Sequence, residues 1–140
     1  MVDEQDPKSS TSASHVRQTI LLALLALAVV ALVYEYSVAR PKSLAAWDAV
    51  SELLNSNYDQ PGEVTNTNET VQAAIGKPPA RTRTEDEGKK RAEIYEWRRG
   101  IPILVYSFLV FYDNKEDGRI LLNAALAERL PSRREKNLAQ

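Results

Sequence analysis

Cysteine is absent from the 140 residues and histidine occurs once, at His15. Without cysteine, disulfide scaffolds, thiolate metal sites and cysteine nucleophiles are all excluded, while the redox compartment stays open. A single histidine, placed ahead of the long apolar run, excludes a Ser-His-Asp arrangement in the rest of the chain and any set of histidine ligands. Charge of one sign is also missing: 18 Lys and Arg against 19 Asp and Glu give a net −1. There is no clustered basic stripe of the kind that holds nucleic acid, so nucleic acid is not an expected partner. Gly76-Lys77-Pro78 lacks both the glycine spacing and the Ser or Thr of a phosphate loop, and reads instead as a helix stop. Asn68-Glu69-Thr70 fits the glycan acceptor pattern, but so short a match carries no weight alone.

What the chain does have is a long run of aliphatic side chains. From Ile20 to Val33 every residue is Leu, Ile, Val or Ala, apolar all round rather than on one stripe. At ~1.5 Å per residue this core covers about 21 Å, against roughly 30 Å of hydrocarbon in a bilayer. Extension over residues 19–38 reaches about 30 Å. The extension takes in Tyr34 and Tyr36, suited to the headgroup level, and Glu35, about one turn from the end and within reach of water. Ten strong apolar side chains at about −0.3 to −0.6 kcal/mol each outweigh one acidic group away from the midplane. Residues 1–18 read as a disordered polar tail, and residues 19–38 as a retained transmembrane anchor. The rivals are a secretory signal cut after Ala39, since Ser37-Val38-Ala39 has the small-x-small form, and a buried soluble helix. Lys8 and Arg17 on one side balance Arg40 and Lys42 on the other, so the positive-inside count is a tie. The signal-like layout favours a domain outside the cytoplasm.

Pro41 marks a joint, because it removes a helical hydrogen bond. Residues 39–58 follow as a helical stalk with Leu44, Trp47, Val50, Leu54 and Tyr58 on one face, a stripe for the domain core or for a helix seam with a partner or second copy. Residues 59–126 form a small α+β domain. Pro61-Gly62 is a loop, and a short helix begins near Thr67, capped by Asn66 and Glu69, and ends at Gly76. "RAEIYEWRR" alternates and "IPILVYSFLVFYD" is rich in β-branched and aromatic residues, so both read as strands with a turn at Arg99-Gly100. "DNKEDG" is a hairpin loop. "RILLNAAL" is expected as the last strand, with a helix as the alternative. Residues 127–140 are a polar tail. The expected fold class is α+β: one transmembrane helix, then two helices packed on a three- or four-stranded antiparallel sheet.

Ile75-Gly76-Lys77-Pro78, closing a helix ahead of strands that carry Tyr95 and Trp97, resembles the SmpA/OmlA lipoproteins and the wider β-lactamase-inhibitor-like modules. The resemblance covers residues 67–122 and implies a helix feeding an antiparallel meander and a role in bacterial envelope assembly. The lipidated cysteine of that family is missing, and an uncleaved helix would replace it as anchor. "YEYSVARPKSLAAW" is similar to the junction of uncharacterised small bacterial signal-anchor proteins, which implies an architecture but no activity.

Carboxylates abound in Asp48, Glu52, Glu85, Asp86, Glu87, Glu93 and Glu96, but "EDEGKK" reads as a solvated turn and no reaction-defining set is visible. The expectation is no enzyme: no catalytic, cofactor-binding or metal-ligating residue. In an ideal strand Tyr106, Phe108 and Tyr112 share one face, and Val105, Leu109 and Phe111 the other. One apolar face is covered by helices, and the second needs another layer, a partner or a membrane surface. Tyr95, Trp97, Tyr106 and Phe108 are the candidate partner contacts, with burial inside the domain as the alternative. The partners expected are the membrane, another envelope or membrane protein, or a second copy. A second functional reading makes the chain a structural single-pass subunit whose anchor helix makes the contacts, with Ala23, Ala26 and Ala31 permitting close approach.

Overall fold

A computed structural model describes residues 9–60, 66–101, 103–115 and 117–130. The expectations for residues 1–8, 61–65 and 131–140 lie outside them. The fold is α+β. Helix α1 (Ser9–Tyr34) runs through a π-helical turn at Glu35–Ala39 into α2 (Arg40–Asp59), and α3 (Asn68–Ile75) precedes four strands, β1 (Arg81–Glu85), β2 (Lys90–Arg98), β3 (Val105–Asn114) and β4 (Ile120–Glu128).

Residues 9–18, expected within a disordered tail, are helical. Once the apolar run has nucleated a helix, each further residue adds a hydrogen bond at little cost. The Thr19 hydroxyl, just beyond this stretch, also donates back to the His15 carbonyl. Among the described residues one helix, Ser14–Asp59, is long and apolar enough to cross a membrane, and its most apolar window is wholly unburied within the molecule. The joint expected at residues 40–43 is displaced toward the N terminus. Pro41 occupies the first turn of α2, where a missing N–H is tolerated, and the wide turn before it is closed by the Arg40 N–H on the Glu35 carbonyl.

The face of α2 that meets the sheet is a small-residue seam rather than the large stripe alone. Ala39, Ser43, Ala46 and Val50 are buried, at helical spacings of four, three and four. Trp47 and Leu54 flank them and pack on the core, while Tyr58 remains 68% exposed. Small side chains let the helix approach a sheet face already filled by Tyr95, Trp97, Tyr106 and Phe108. Trp47 meets Phe108 edge-on at 5.5 Å, and Phe108 stacks with Tyr95 and Trp97 at 5.6 and 5.3 Å between centroids.

Helix α3 is capped by Thr67, whose hydroxyl oxygen accepts from the Thr70 N–H, and not by Asn66. Asn66 is drawn inward, donating from Nδ2 to the Leu53 carbonyl and to Asn57 Oδ1, while its own carbonyl accepts from the Leu122 N–H. It therefore stitches α2 to β4. Gly76 ends α3 at φ 75°, the left-handed cap expected of it.

The sheet is an antiparallel meander in the order β1-β2-β3-β4. β1, "RTRTE", is exposed along its whole length. It has no apolar alternation to announce it and is held by its pairing with β2, as a charged edge strand should be. β4 is a strand, resolving the alternative left open for "RILLNAAL"; it runs to Glu128, so residues 127 and 128, expected in the polar tail, belong to the sheet through their pairing with Phe108 and Ser107, and a register shift against Phe111/Tyr112 marks a bulge.

Candidate functional site

Two polar centres and one open surface stand out. The first joins the helix to the sheet. Glu35, in the π turn, is 8% exposed and points into the domain rather than to water. Its Oε1 accepts from Arg99 Nε at 2.9 Å and from the Tyr106 hydroxyl, and its Oε2 from the Gly100 N–H at 3.0 Å. The expectation that this carboxylate reaches water is corrected: the β2–β3 turn supplies two donors, one of them charged, and Tyr106 of β3 a third, which together offset desolvation. Gly100 is required here by contact rather than by φ. A Cβ on it would fall 2.0 Å from the Ala31 carbonyl oxygen, so only glycine lets the turn lie against the helix backbone. Arg99 also covers the Tyr106 ring, 4.8 Å from its centroid.

The second centre lies inside the domain. Glu93 is fully buried. Gln72 Nε2 and Arg91 Nη2 reach its Oε1 at 3.2 and 2.8 Å, and the Tyr95 and Tyr112 hydroxyls reach Oε2 at 2.8 and 3.0 Å. Four donors on one carboxylate tie α3, β2 and β3 together. Burial, then the bond to Glu93, raises the Tyr95 pKa. Burial also raises that of Tyr112, with Tyr95 and Glu93 adding to it. Both phenols are held protonated as donors. With no exposed atom, Glu93 has no route to a substrate, so its chemistry is that of a structural acceptor.

At the end of α3, Lys77 donates to the Glu96 carbonyl and lies 4.4 Å from the Trp97 ring centroid. Burial lowers its pKa, with Glu96 opposing the shift.

The four residues chosen from sequence as partner contacts, Tyr95, Trp97, Tyr106 and Phe108, are brought together, but in the core beneath α2. That correction follows from parity: they share the strand face on which the small-residue seam of α2 sits. On the other face the register sets Ile94, Leu109 and Leu126 in one row and Ala92, Phe111 and Ala124 in the next. Ala92 and Ile94 are buried at 3% and 9% exposure, Leu109 and Phe111 are half-buried, and Leu126 is 52% exposed, so this face opens toward its β4 edge. Arg81 and Glu96, paired at 2.8 Å, border the rows on this side. The small-residue seam of α2 packs on the opposite face. Sequence periodicity already placed Leu109 and Phe111 on the second face. Glu35 and Gly100 were missed as a pair because 65 residues separate them and neither forms a motif.

Comparison with protein-family models, with curated proteins and with solved structures finds no match.

Proposed function

We propose that the chain is a single-pass, membrane-anchored, non-catalytic module that binds or supports another envelope or membrane protein. The observation that carries the anchored part is continuity. The helix that is unburied and apolar to Val33 becomes, through the π turn, the helix whose Ala39 and Ser43 belong to the core. A cut after Ala39 would remove Glu35 and Ala39 and leave the Tyr106 hydroxyl, the Gly100 N–H and Arg99 without their carboxylate. The fold supports retention over a cleaved signal, since leaving buried donors unpaired costs about 1–3 kcal/mol each.

The open sheet face supports the binding part. Leu109, Phe111 and Leu126 form an apolar strip with a charged border, the composition of a contact surface. The likeness of the helix stop at Gly76 and the following meander to SmpA/OmlA modules belongs to the same proposal, as does placement of the domain outside the cytoplasm. The alternative is a structural subunit bound through the anchor, favoured by Ala23 and Ala26, since Ala31 is already met by Gly100 of the same chain. Site-specific photo-crosslinkers placed at Leu126 and at Leu25 of the intact chain in its native membrane separate the two. A discrete adduct from position 126 supports the domain surface. Adducts confined to position 25 transfer the role to the anchor, and adducts from neither remove both.

A further inference from the structure

The turn between β2 and β3 is not a surface loop far from the anchor. It is closed by the Arg99 N–H on the Leu104 carbonyl and the Leu104 N–H on the Ile101 carbonyl, both at 2.9 Å, and lies against Ala31 through Gly100. Ile101 and Gly100 form a groove of about 490 Å³ with Leu27, Ala28, Ala31 and Tyr34 of α1. Yet the turn is apolar and uncovered: Ile101, Ile103 and Leu104 are 52%, 87% and 40% exposed. Ala31 precedes Tyr34 by three residues, about 4.5 Å along the axis. With Tyr34 at the headgroup level, the turn lies just below the hydrocarbon boundary on the same side as the domain.

Just above this level the domain is basic. One groove beside α2, about 740 Å³, is lined by Lys42, Lys77 and Arg98 with Glu96 as its one acid. A second, about 540 Å³, is lined by Arg40, Arg99 and Arg129 with Glu35 as its one acid. Six cations against two carboxylates flank the helix at the height of Tyr34 and Tyr36, in a chain whose net charge is −1. Charge is thus concentrated where a headgroup layer would lie, directly above apolar side chains that lack a protein cover.

We propose that this end of the domain binds the anionic phospholipids of the leaflet in which the anchor ends. Ile101, Ile103 and Leu104 lie among the acyl chains, and the two grooves receive phosphate groups. The occupant is lipid because the exposed turn is continuous with the lipid-facing surface of α1, and anionic because of the cation excess. The inference rests on the anchored reading, and the test distinguishes the two.

The chain has no cysteine, so Leu25→Cys, Ile103→Cys and Tyr58→Cys each give one labelling site for an environment-sensitive dye. The full chain is reconstituted in phosphatidylcholine nanodiscs containing phosphatidylglycerol, with a spin label on the acyl chain of one lipid or the other. Quenching at position 103 should approach that at position 25 and exceed that at position 58 several-fold. It should be several-fold stronger from labelled phosphatidylglycerol than from labelled phosphatidylcholine, and this preference should fall to unity in Arg98→Gln/Arg129→Gln. Strong quenching at 25 with 103 no different from 58 overturns the immersed turn and leaves the anchor intact. Equal quenching by the two lipids overturns the anionic preference. Weak quenching at 25 removes the anchor itself, and the inference with it.

Discussion

Glu35→Ala tests whether helix and sheet form one body. The substitution strands three donors at once. The Tyr106 hydroxyl and the Gly100 N–H, both enclosed by the joint, lose a charge-assisted partner, at about 1 to 1.5 kcal/mol each. The Arg99 side chain is 37% exposed and can rehydrate, so its share stays below about 1 kcal/mol. The sum is about 3 kcal/mol of domain stability. Urea unfolding of the full chain in mild detergent, followed by the emission of Trp47 and Trp97, both packed in the core, measures it. Glu35→Gln, which keeps an acceptor oxygen, should lose about half as much. In a double-mutant cycle with Tyr106→Phe, a coupling of about 1 kcal/mol or more is expected, as for residues sharing a buried network. A Glu35→Ala chain within about 0.5 kcal/mol of the parent, or additive effects in the cycle, would refute the joint.

Gly100→Ala places a methyl group 2.0 Å from the Ala31 carbonyl oxygen; the turn must part from the helix, and the same unfolding assay should show a loss of about 1–3 kcal/mol. Val50→Ala, at a fully buried position of the α2 seam, should cost about 2–3 kcal/mol by the same measurement. Alkaline pH should weaken the domain through Tyr95 and Tyr112, whose pKa values are raised by burial. Their stabilisation is complete below the ordinary phenol value near 10 and is lost above it, as the unfolded chain releases protons that the fold retains. Each such group gives a slope of up to about 1.4 kcal/mol per pH unit, and Tyr106, raised by burial and by its bond to Glu35, adds to them. Tyr112→Phe should lower the slope measured between pH 10 and 11 by about a third. Lys77, lowered by burial, adds a smaller rise in stability as pH climbs toward 10.5.

Much of the architecture was legible because its signals are periodic. An unbroken aliphatic run, a 3-4 spacing, a Gly-x-Pro stop and β-branched alternation correspond to the long apolar helix, α2, the end of α3, and β2 with β3. Elements set by tertiary contact were not. β1 is a polar stretch made a strand by pairing with β2, and Asn66 looked like a cap but serves as a buried tie between α2 and β4. Parity along β3 was read correctly, with two apolar faces, but the face chosen for partner contact was the one that α2 covers. Aromatic residues mark both cores and interfaces, and the deciding feature was the run of small residues Ala39, Ser43 and Ala46, which admits a helix close to the Tyr95 and Phe108 rings. Glu35 was read as reaching water because its three donors come from the β2–β3 turn and strand β3, 64 to 71 residues away.

Alkaline carbonate extraction of membranes from cells expressing the chain, with the intact mass of the recovered protein determined, tests the anchored helix most directly. A retained anchor leaves the polypeptide in the pellet with residues ahead of Arg40 still attached. A water-soluble product beginning at Arg40 would contradict it, separating Glu35 from the Arg99–Gly100 turn that the fold closes around it.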